Sequence, residues 1–464
     1  MFGGMKNTNK PITTAMHDTA MLTQRIVEKE NIGTNLGLYR GLMALQGGHL
    51  LASRGGLIPA LTSAGLNKQE SKQTWQAIAQ GKWEANQLLA ELNTQIKAAG
   101  KFKPTCVAGY QIQAADTLGY FRARLKGCKT GHYNSIAGKS LPAQCFGILG
   151  VVGSIGQQRV TLPFYLARAE GETQSDEQLM KRLLHEANKT LDSEIARVTT
   201  ADRKFPPLEM LKAGYSHIVL RRPKNFTMIR AELPVYKGKG RRPSKGEVIR
   251  PMIHQYKGKV IPESEAEAVH TWQRNEVDGR CITLNAKIWF NLLLPAQKTW
   301  TQSDHHLNQK HPWVLMAIQH PDFEHPLILI MTNIKLTPDE AYTIFKSRWG
   351  IEQPPLVAKQ LLGAHRQFVH HPEMCFRLPE FSMIAAVILT YCAACQPACP
   401  TGYWDRKPKP TAGRLRRHLS DFDFAGIPLL PRLREKRSVT SHLPTGYHPA
   451  LALARAQKAV FSEN

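Results

Sequence analysis

The sequence predicts an α/β fold in which a mixed sheet follows a helical N-terminal region and is interrupted by a β-rich segment. Three observations support this prediction. The apolar period is helical up to about residue 100, it becomes strand-like between residues 105 and 221, and an amphipathic helix there precedes a further short strand. Hairpin strands followed by a helix and another strand are typical of an α/β domain with a mixed sheet. The chain has 464 residues, of which 42% are hydrophobic, enough for two or three domains and a substantial core.

The charge balance predicts a polyanionic partner. The chain has 61 Lys and Arg residues against 36 Asp and Glu residues, which gives a net charge of +25 spread over its whole length. Such a surface favours nucleic acid, while a basic housekeeping protein or a membrane-surface binder is the alternative.

Cysteine usage and the apolar runs indicate a cytoplasmic protein. The 8 cysteines are irregularly spaced and do not resemble a disulfide framework, so we expect a reducing compartment. Cys392, Cys395 and Cys399 could hold zinc, but a fourth ligand is not evident and packed thiols are favoured. Residues 1–10 do not resemble a signal peptide, and the apolar run 381–394 is too short to span a bilayer.

Residues 1–104 are predicted to form a helical DNA-binding region. The first 20 or so residues have no sustained period and are expected to be loose. Short helices with Gly-containing turns follow, and Asn67 is the expected N-cap of a helix that begins at Lys68. A helix-turn-helix-like module and an ordinary helical cap on the next domain fit this pattern equally well. In the first case the residues that would contact phosphates are Arg40, Arg54, Lys68, Lys72 and Lys82.

Residues 105–221 are predicted to form the first part of the core. A strand from Cys106 to Ala114 runs directly into Asp116, and a strand from Ile195 to Thr200 delivers Asp202 at its end. The glycines from Gly147 to Gly156 are interpreted as a strand and its hairpin turn, because no G-x-G turn opens a helix there. An amphipathic helix over residues 176–191 lies between the two halves.

Residues 222–326 are predicted to form a β-rich basic insertion. Its loop 236–246 carries Lys239, Arg241 and Arg242 among glycines and lacks a nucleotide-cradling arrangement, so we expect it to grip a duplex backbone. Residues 327–400 return to the core with a buried strand, a helix capped by Thr337 and an apolar helix. Residues 401–464 form a basic C-terminal tail.

One helical face carries an unusual set of side chains. Phe345, Arg348, Glu352 and Lys359 fall within little more than half a turn of one another, so a carboxylate that could bind a divalent metal lies beside two cations that could bind phosphates. The alternative is a solvated helix with an exposed Arg348–Glu352 ion pair. The prolines at 354 and 355 indicate that the helix ends, kinks or passes into a second helix near Glu352.

Three carboxylates are candidates for a metal site because of their placement. Asp116 and Asp202 are expected at strand ends on one edge of the sheet, and a helix packed on that sheet could add Glu352. Three hard oxygen ligands leave room for two Mg²⁺ ions. Each acid taken alone is more often a cap, a turn residue or a surface group.

These residues resemble a known family. The spacing Arg348-x3-Glu352-x6-Lys359, with an aromatic residue at 345, resembles the Tyr-x2-Arg-x3-Glu-x6-Lys signature of one large branch of DDE transposases of bacterial insertion sequences. Residues 329–333, 200–203 with 215–222, and 114–117 are similar to the segments that lead into the Glu, the second Asp and the first Asp of that family. The resemblance covers roughly residues 106–395, and the Arg-Glu-Lys block is its specific part.

The resemblance implies an RNase H-like catalytic domain that cuts and joins DNA at the terminal inverted repeats of its element. Asp116, Asp202 and Glu352 would be the catalytic ligands of two Mg²⁺ ions, with Mn²⁺ as a possible substitute, and a homodimer would form on paired DNA ends. The family assigns DNA contacts to the positions of Arg348 and Lys359, and base stacking near the cut to that of Trp349. A bacterial, nucleoid-associated location is implied.

Two departures from the family pattern keep other functions open. Phe345 stands where the signature has Tyr, which removes a hydroxyl that Tyr342 could replace one turn earlier. Gln353-Pro354-Pro355 after the Glu is also unusual. A catalytically inactive DNA-binding relative and a metal-dependent nuclease that does not join strands are therefore the alternatives.

Overall fold

The fold is taken from a computed structural model of the chain. It describes residues 9–122, 131–134, 136–169, 175–192, 194–236, 238, 242–256, 258–276, 278–332, 335–398, 400 and 404–435. Lys239, Arg241 and Cys399, on which predictions were made, lie outside the described residues, as does the tail beyond residue 435.

The N-terminal region is helical, as predicted, and its helices are α1 (Asn9–Val27), α2 (Thr34–Gln46), α3 (His49–Ala52), α4 (Leu57–Ser63), α5 (Lys68–Gln80) and α6 (Ala85–Ala98). Asn67 caps α5 in a reciprocal capping box with Glu70, which confirms that prediction. The expectation of a loose start is wrong from residue 9 onward, because α1 is a 19-residue helix. Its buried face uses small and hydroxyl side chains such as Thr19 and Thr23, whose hydroxyls donate to carbonyls one turn earlier.

The central sheet is mixed, which confirms the α/β prediction. Its first elements are β1 (Lys103–Pro104), β2 (Cys106–Val107), β3 (Tyr110–Phe121), β4 (Gly131–Asn134), β5 (Lys139–Ile155), β6 (Gln158–Arg168), α7 (Asp176–Lys189), β7 (Arg197–Ala201), α8 (Pro207–Lys212) and β8 (Ile218–Arg222). β5 pairs antiparallel with both β3 and β6, whereas β7 is parallel to β3 and β8 is parallel to β7. The predicted glycine-rich strand and hairpin turn are β5 and the turn at Gly156, whose φ is 54°.

The segment 222–326 is rich in strands, and most of them extend the same sheet. They are β9 (Met228–Arg230), β10 (Val248–Ile249), β11 (His254–Tyr256), β12 (Lys259–Ile261), β13 (Ala268–Asn275) and β14 (Cys281–Leu293), followed by α9 (Gln302–Lys310), β15 (Trp313–Gln319) and β16 (Leu327–Thr332). β8 pairs with β16, and the sheet continues through β15 and β14 to β9 and β10. β11 and β12 form a separate hairpin.

The last part of the chain is helical and packs on the sheet. It contains α10 (Pro338–Ser347), a 3₁₀ turn (Arg348–Glu352), α11 (Gln353–Leu356), a π-helical turn (Val357–Leu361), a 3₁₀ turn (Ala364–Arg366), α12 (Pro372–Cys395), α13 (Ala412–Leu419) and a 3₁₀ turn (Phe424–Gly426). Among the described residues, α12 is long and apolar enough to cross a membrane, but 83% of its most apolar window is buried inside the protein. That burial is typical of a core helix.

The N-terminal helices share one hydrophobic core with α12 and one face of the sheet. Asn86 and Asn93 of α6 hydrogen-bond to the backbone of β6, and Arg377 of α12 donates to the carbonyls of Ile78 and Gly81. These contacts favour the helical-cap interpretation of this region. Arg40, one of the expected phosphate contacts, is instead ion-paired with Glu70, so its charge is already neutralised.

A buried carboxyl group lies within this shared core. Glu380 of α12 is only 9% exposed, and its carboxylate lies 4.0 Å from Arg168 of β6. Burial raises the pKa of Glu380 to about 7, against the opposing effect of Arg168 and with a further increase from the neighbouring Glu373. The charged form of this side chain is therefore disfavoured in the folded protein.

We expect Glu380→Gln to change the pH dependence of stability. The folded pKa of Glu380, about 7, lies above the ordinary value of 4.5. The wild-type side chain therefore has no effect on stability below pH 4.5, and it destabilises the fold increasingly as the pH rises from 4.5 towards 7. The uncharged variant should therefore gain up to about 3 kcal/mol relative to the wild type between pH 5 and pH 8. Chemical denaturation at a series of pH values measures this difference.

Glu373→Gln is the matched control. Burial raises the pKa of Glu373, but Arg168 and Arg377 outweigh burial and lower it, so its stabilisation is present above the ordinary pKa and disappears as the pH falls. Relative to the wild type, this variant should gain stability as the pH falls below the ordinary pKa, whereas the gain expected for Glu380→Gln appears as the pH rises above it. Between pH 5 and pH 8 its profile should change less than that of Glu380→Gln, because Glu373 only adds to the raised pKa of Glu380. Stability profiles of Glu380→Gln and the wild type that run parallel from pH 5 to pH 8 would contradict the prediction.

Candidate active site

The two aspartates lie side by side on neighbouring parallel strands. Ala115 of β3 pairs with Ala201 of β7, so Asp116 and Asp202 occupy the next position after each of these paired residues. Asp202 follows β7 directly, as predicted. The prediction that Asp116 ends its strand is wrong, because β3 stays paired with β5 as far as Phe121. β7 stops at Ala201, however, so Asp116 still lies where the parallel part of the sheet ends.

Glu352 comes from a point at which the helical backbone changes its hydrogen bonding. The α-helix ends at Ser347, a 3₁₀ turn runs from Arg348 to Glu352, and α11 begins at Gln353. Pro354 and Pro355 have no N–H to continue an α-helical ladder back to residues 350 and 351, which accounts for the tighter turn. The predicted change of helix near Glu352 is confirmed.

Two glycines let this turn pack closely on the sheet. A Cβ on Gly350 would lie 2.1 Å from the Oγ1 of Thr161 in β6, and a Cβ on Gly150 of β5 would lie 2.8 Å from Ile351. Both distances are too short for a real Cβ, so the turn reaches its position only because these side chains are absent. The close approach fixes Glu352 above the strand that neighbours Asp116.

Arg348 joins two of the three carboxylates. Its Nη1 lies 2.9 Å from Oε1 of Glu352 and 3.7 Å from Oδ2 of Asp116. The i,i+4 pair with Glu352 therefore exists, but Arg348 is only 5% exposed, so the pair is not the solvated one of the alternative interpretation. In this state the guanidinium faces carboxylates and not solvent.

The pKa of Asp116 reports the electrostatics of the cluster. Burial raises this pKa to about 6, Arg348 opposes the rise, and the negative charges of Glu352 and Asp202 add to it. Both other carboxylates therefore act electrostatically on Asp116. Oδ1 of Asp202 is buried and has no hydrogen-bond partner among the residues that the structure describes.

Two further cations lie close to the acids. Lys359 is held in the π-helical turn, with its Nζ 5.0 Å from the ring centre of Tyr120. Burial lowers the pKa of Lys359, while Asp116 opposes this effect. Arg222, at the end of β8, donates to the carbonyls of Arg203 and Phe205, and burial lowers its pKa to about 10 although Asp202 acts in the opposite direction. The acidic cluster is thus embedded in positive charge.

An open groove of about 370 Å³ leads to this cluster and is lined by Asp116, Glu352 and Lys359 together with residues of β4. The indole of Trp349 is 54% exposed. Arg242 is exposed on the basic loop, and its guanidinium lies 5.6 Å from the ring centre of Tyr236. The predicted DNA contacts of Arg348, Trp349, Lys359 and Arg242 stay predictions.

Tyr342 lies in a different environment from the acidic cluster. It is buried, its ring centre lies 5.2 Å from the guanidinium of Arg274 on β13, and burial raises its pKa to about 12. The charges that act on its hydroxyl come from Glu276, Arg274, Asp322 and Asp339. The idea that Tyr342 replaces the hydroxyl missing at Phe345 gains no support from this environment.

The donor set suits a hard divalent cation. Asp116 and Glu352 line the groove, and the buried Oδ1 of the neighbouring Asp202 lacks, among the described residues, the partner that a buried oxygen usually has. Sequence reasoning did not identify Arg222, Tyr120 or the residues of β4 as part of this site. Only the position of Arg222 at a strand end gave any signal.

No family model matches this sequence, and no curated protein shows significant similarity to it.

We expect Gly350→Ala to destabilise the turn that carries Glu352. The added methyl group cannot share space with Thr161, and such overpacking costs about 1–3 kcal/mol. Combining it with Thr161→Ala should restore part of the stability, because the second change removes the clashing oxygen. Denaturant titration of the two single variants and the double variant measures the coupling.

Gly413→Ala in α13 is the control for this experiment. A Cβ at Gly413 meets its nearest neighbour at an ordinary 3.6 Å, so this change should be neutral or stabilising by up to about 1 kcal/mol. Equal destabilisation by Gly350→Ala with and without Thr161→Ala would show that close packing on β6 does not hold the turn.

Proposed function

We propose that this protein is a DDE-type transposase that binds the terminal inverted repeats of an insertion sequence and catalyses DNA cleavage and strand transfer in cut-and-paste transposition. The observation that carries the proposal is the convergence of Asp116 and Glu352 on Arg348, with Asp202 at the adjacent strand position. These acids are far apart along the chain. Their order along the chain, Asp, Asp and then Glu, is the order in the family that the sequence resembles.

The order of the strands supports an RNase H-like domain. Three antiparallel strands (β3, β5 and β6) are followed by α7 and then by β7 and β8, which are parallel to β3. The order across the sheet is therefore β6, β5, β3, β7, β8. An RNase H-like domain has this order of strands. Its acidic residues lie on the strands that come first and fourth along the chain, which correspond here to β3 and β7.

In the proposed reaction the chain supplies ligands, position and charge. Asp116, Asp202 and Glu352 would hold two Mg²⁺ or Mn²⁺ ions, which activate a water or 3′-hydroxyl and stabilise the leaving oxygen when bound. Arg348 keeps Asp116 and Glu352 together. Lys359 offers a cation at the groove, and the exposed Trp349 offers a surface on which a base can stack.

The proposed partners follow from the charge and from the resemblance. The net charge of +25 suits double-stranded DNA, both the element ends and the target. We expect a homodimer on paired ends, in the cytoplasm of a bacterium and associated with its nucleoid.

A catalytically inactive, DNA-binding relative is the second candidate. Phe345 lacks the hydroxyl of the family signature, and Tyr342 lies among other charges. A metal-dependent nuclease that does not join strands would use the same acids. The products formed from DNA distinguish both alternatives from the transposase.

Glu352→Gln and Asp202→Asn should abolish strand cleavage and leave DNA binding intact. Each removes a metal ligand, so we expect cleavage to fall by roughly 10³-fold or more, while affinity depends on phosphate contacts elsewhere. The measurement is nicking and joining, with Mg²⁺ and with Mn²⁺, of a supercoiled plasmid that carries the DNA flanking the coding region. Gel-shift titration gives binding in parallel.

Glu324→Gln is the matched control, because Glu324 is an exposed glutamate away from the groove. It should retain wild-type cleavage. Undiminished cleavage in Glu352→Gln would refute the assignment. Binding without cleavage by the wild type would favour the inactive relative, and cleavage without joining would favour the nuclease.

A second experiment locates the DNA contacts. Removing Lys239, Arg241 and Arg242 together should weaken binding and reduce the slope of log K against log salt by about 0.9 for each phosphate that these side chains no longer neutralise. The comparison variant replaces the exposed Lys68, Lys72 and Lys82 of the N-terminal region. If the slope changes only in this comparison variant, the DNA interface lies on the helical N-terminal region and not on the basic loop.

A further inference from the structure

A second group of potential metal ligands lies beside the acidic cluster. His132 is on β4, Cys145 is on β5, and Asp176 is the first residue of α7. One ligand atom from each of these side chains lies within 4.8 Å of the other two. Because the three residues come from separate elements and follow no short spacing, no sequence motif indicates the group.

Gly119 of β3 makes the space in which this group assembles. It is the sheet partner of Cys145, and a Cβ at Gly119 would lie 2.8 Å from Cβ and 2.9 Å from Cγ of His132. The imidazole can lie over the sheet next to the thiol only because this side chain is absent. The pocket is therefore built by the pairing of β3 with β5.

The group is buried and incompletely hydrogen-bonded. Cys145 is 0% exposed, and the side chains of His132 and Asp176 are 12% and 23% exposed. Nδ1 of His132 lies 3.5 Å from Oδ2 of Asp176. Nδ1 of His132 and Oδ1 of Asp176 are both buried without a hydrogen bond in the described part of the chain. Buried polar atoms usually have a partner. Nδ1 of His132 already faces Oδ2 of Asp176, so Oδ1 of Asp176 is the atom that most clearly points to a ligand.

Two lysines face the group. Lys204 lies 3.4 Å from Oδ2 of Asp176, and Lys359 interacts electrostatically with Cys145. The side chain of Lys204 is 35% exposed, which leaves it room to turn into solvent when a cation replaces it.

We infer that His132, Cys145 and Asp176 form a zinc site. A thiolate, an imidazole and a carboxylate together suit Zn²⁺, whereas Mg²⁺ prefers oxygen ligands alone. With Zn–N near 2.0 Å and Zn–S near 2.3 Å, tetrahedral ligands lie roughly 3.3–3.8 Å apart. Since the ligand atoms already lie within 4.8 Å of one another, binding requires a closure of at most about 1–1.5 Å. Water completes the fourth position.

The bound ion would join three elements at the wall of the active-site groove. His132, Tyr133 and Asn134 of β4 line this groove opposite Glu352. Zinc would fasten β4 and α7 to β5 and so set the shape of that wall. The inference does not depend on the proposed DNA chemistry, because it concerns different residues and a different class of metal.

The test is a Co²⁺ and Zn²⁺ titration of the full-length, metal-free protein. We expect a thiolate-to-metal charge-transfer band in the near ultraviolet that corresponds to one Co²⁺ per chain and that Zn²⁺ abolishes. Ions held by Asp116, Asp202 and Glu352 would give no such band, because that cluster has no thiolate. Cys145→Ser should lose the band. His132→Ala and Asp176→Asn should bind at least about tenfold more weakly. Zn²⁺ should also raise the Tm of the wild type.

Cys392→Ser is the matched control, because Cys392 is a buried cysteine outside the group. It should keep the band and the stabilisation by Zn²⁺. Absence of the band in the wild type, or its persistence in Cys145→Ser, would overturn the inference. Loss of the band in Cys392→Ser alone would assign the metal to the C-terminal cysteines and overturn it as well. If Cys145→Ser does not fold, unchanged affinity in both His132→Ala and Asp176→Asn overturns it independently.

Discussion

Three negative charges in one partly buried place repel one another, and the candidate site depends on how this repulsion is balanced. Arg348 supplies most of the balance, because a single nitrogen of its guanidinium contacts both Glu352 and Asp116. A buried arginine is itself stable only beside carboxylates, so the cation and the two acids hold one another in place. The 3₁₀ turn, the two prolines behind it and the glycines that admit it to the sheet all serve to bring Arg348 to this position.

The same balance explains how a very basic protein can hold a compact acidic site. Arg222 and Lys359 are half-buried and interact with Asp202 and Asp116 respectively, and partial burial lowers the pKa of both cations. A divalent ion that entered the cluster would compete with these cations for the same oxygens. Without the ion, Asp116 and Glu352 already have Arg348 as a partner, whereas the buried Oδ1 of Asp202 has none among the described residues.

Sequence reasoning predicted the local features of the fold better than those that depend on long-range pairing. The helical capping signals at Asn67 and Thr337 and the β5–β6 hairpin depend on neighbouring residues, so local patterns were sufficient for them. The first helix was missed because most of its buried positions before Ile26 are Ala, Thr or Gln, which carry little hydrophobic signal. The length of β3 was underestimated because its pairing with β5 is a long-range contact. The His132 group was invisible for the same reason.

The N-terminal helices and the sheet share a single core around α12, which bears on whether the two regions can be separated. A recognition module joined by a linker can be exchanged between relatives, since each part folds alone. Here Arg377 of α12 bonds to backbone carbonyls next to α5, and side chains of α6 bond to β6. Exchanging the N-terminal region would expose the buried surface of α12, so the helical region and the sheet are expected to fold as one unit and to accept only mutually compatible substitutions.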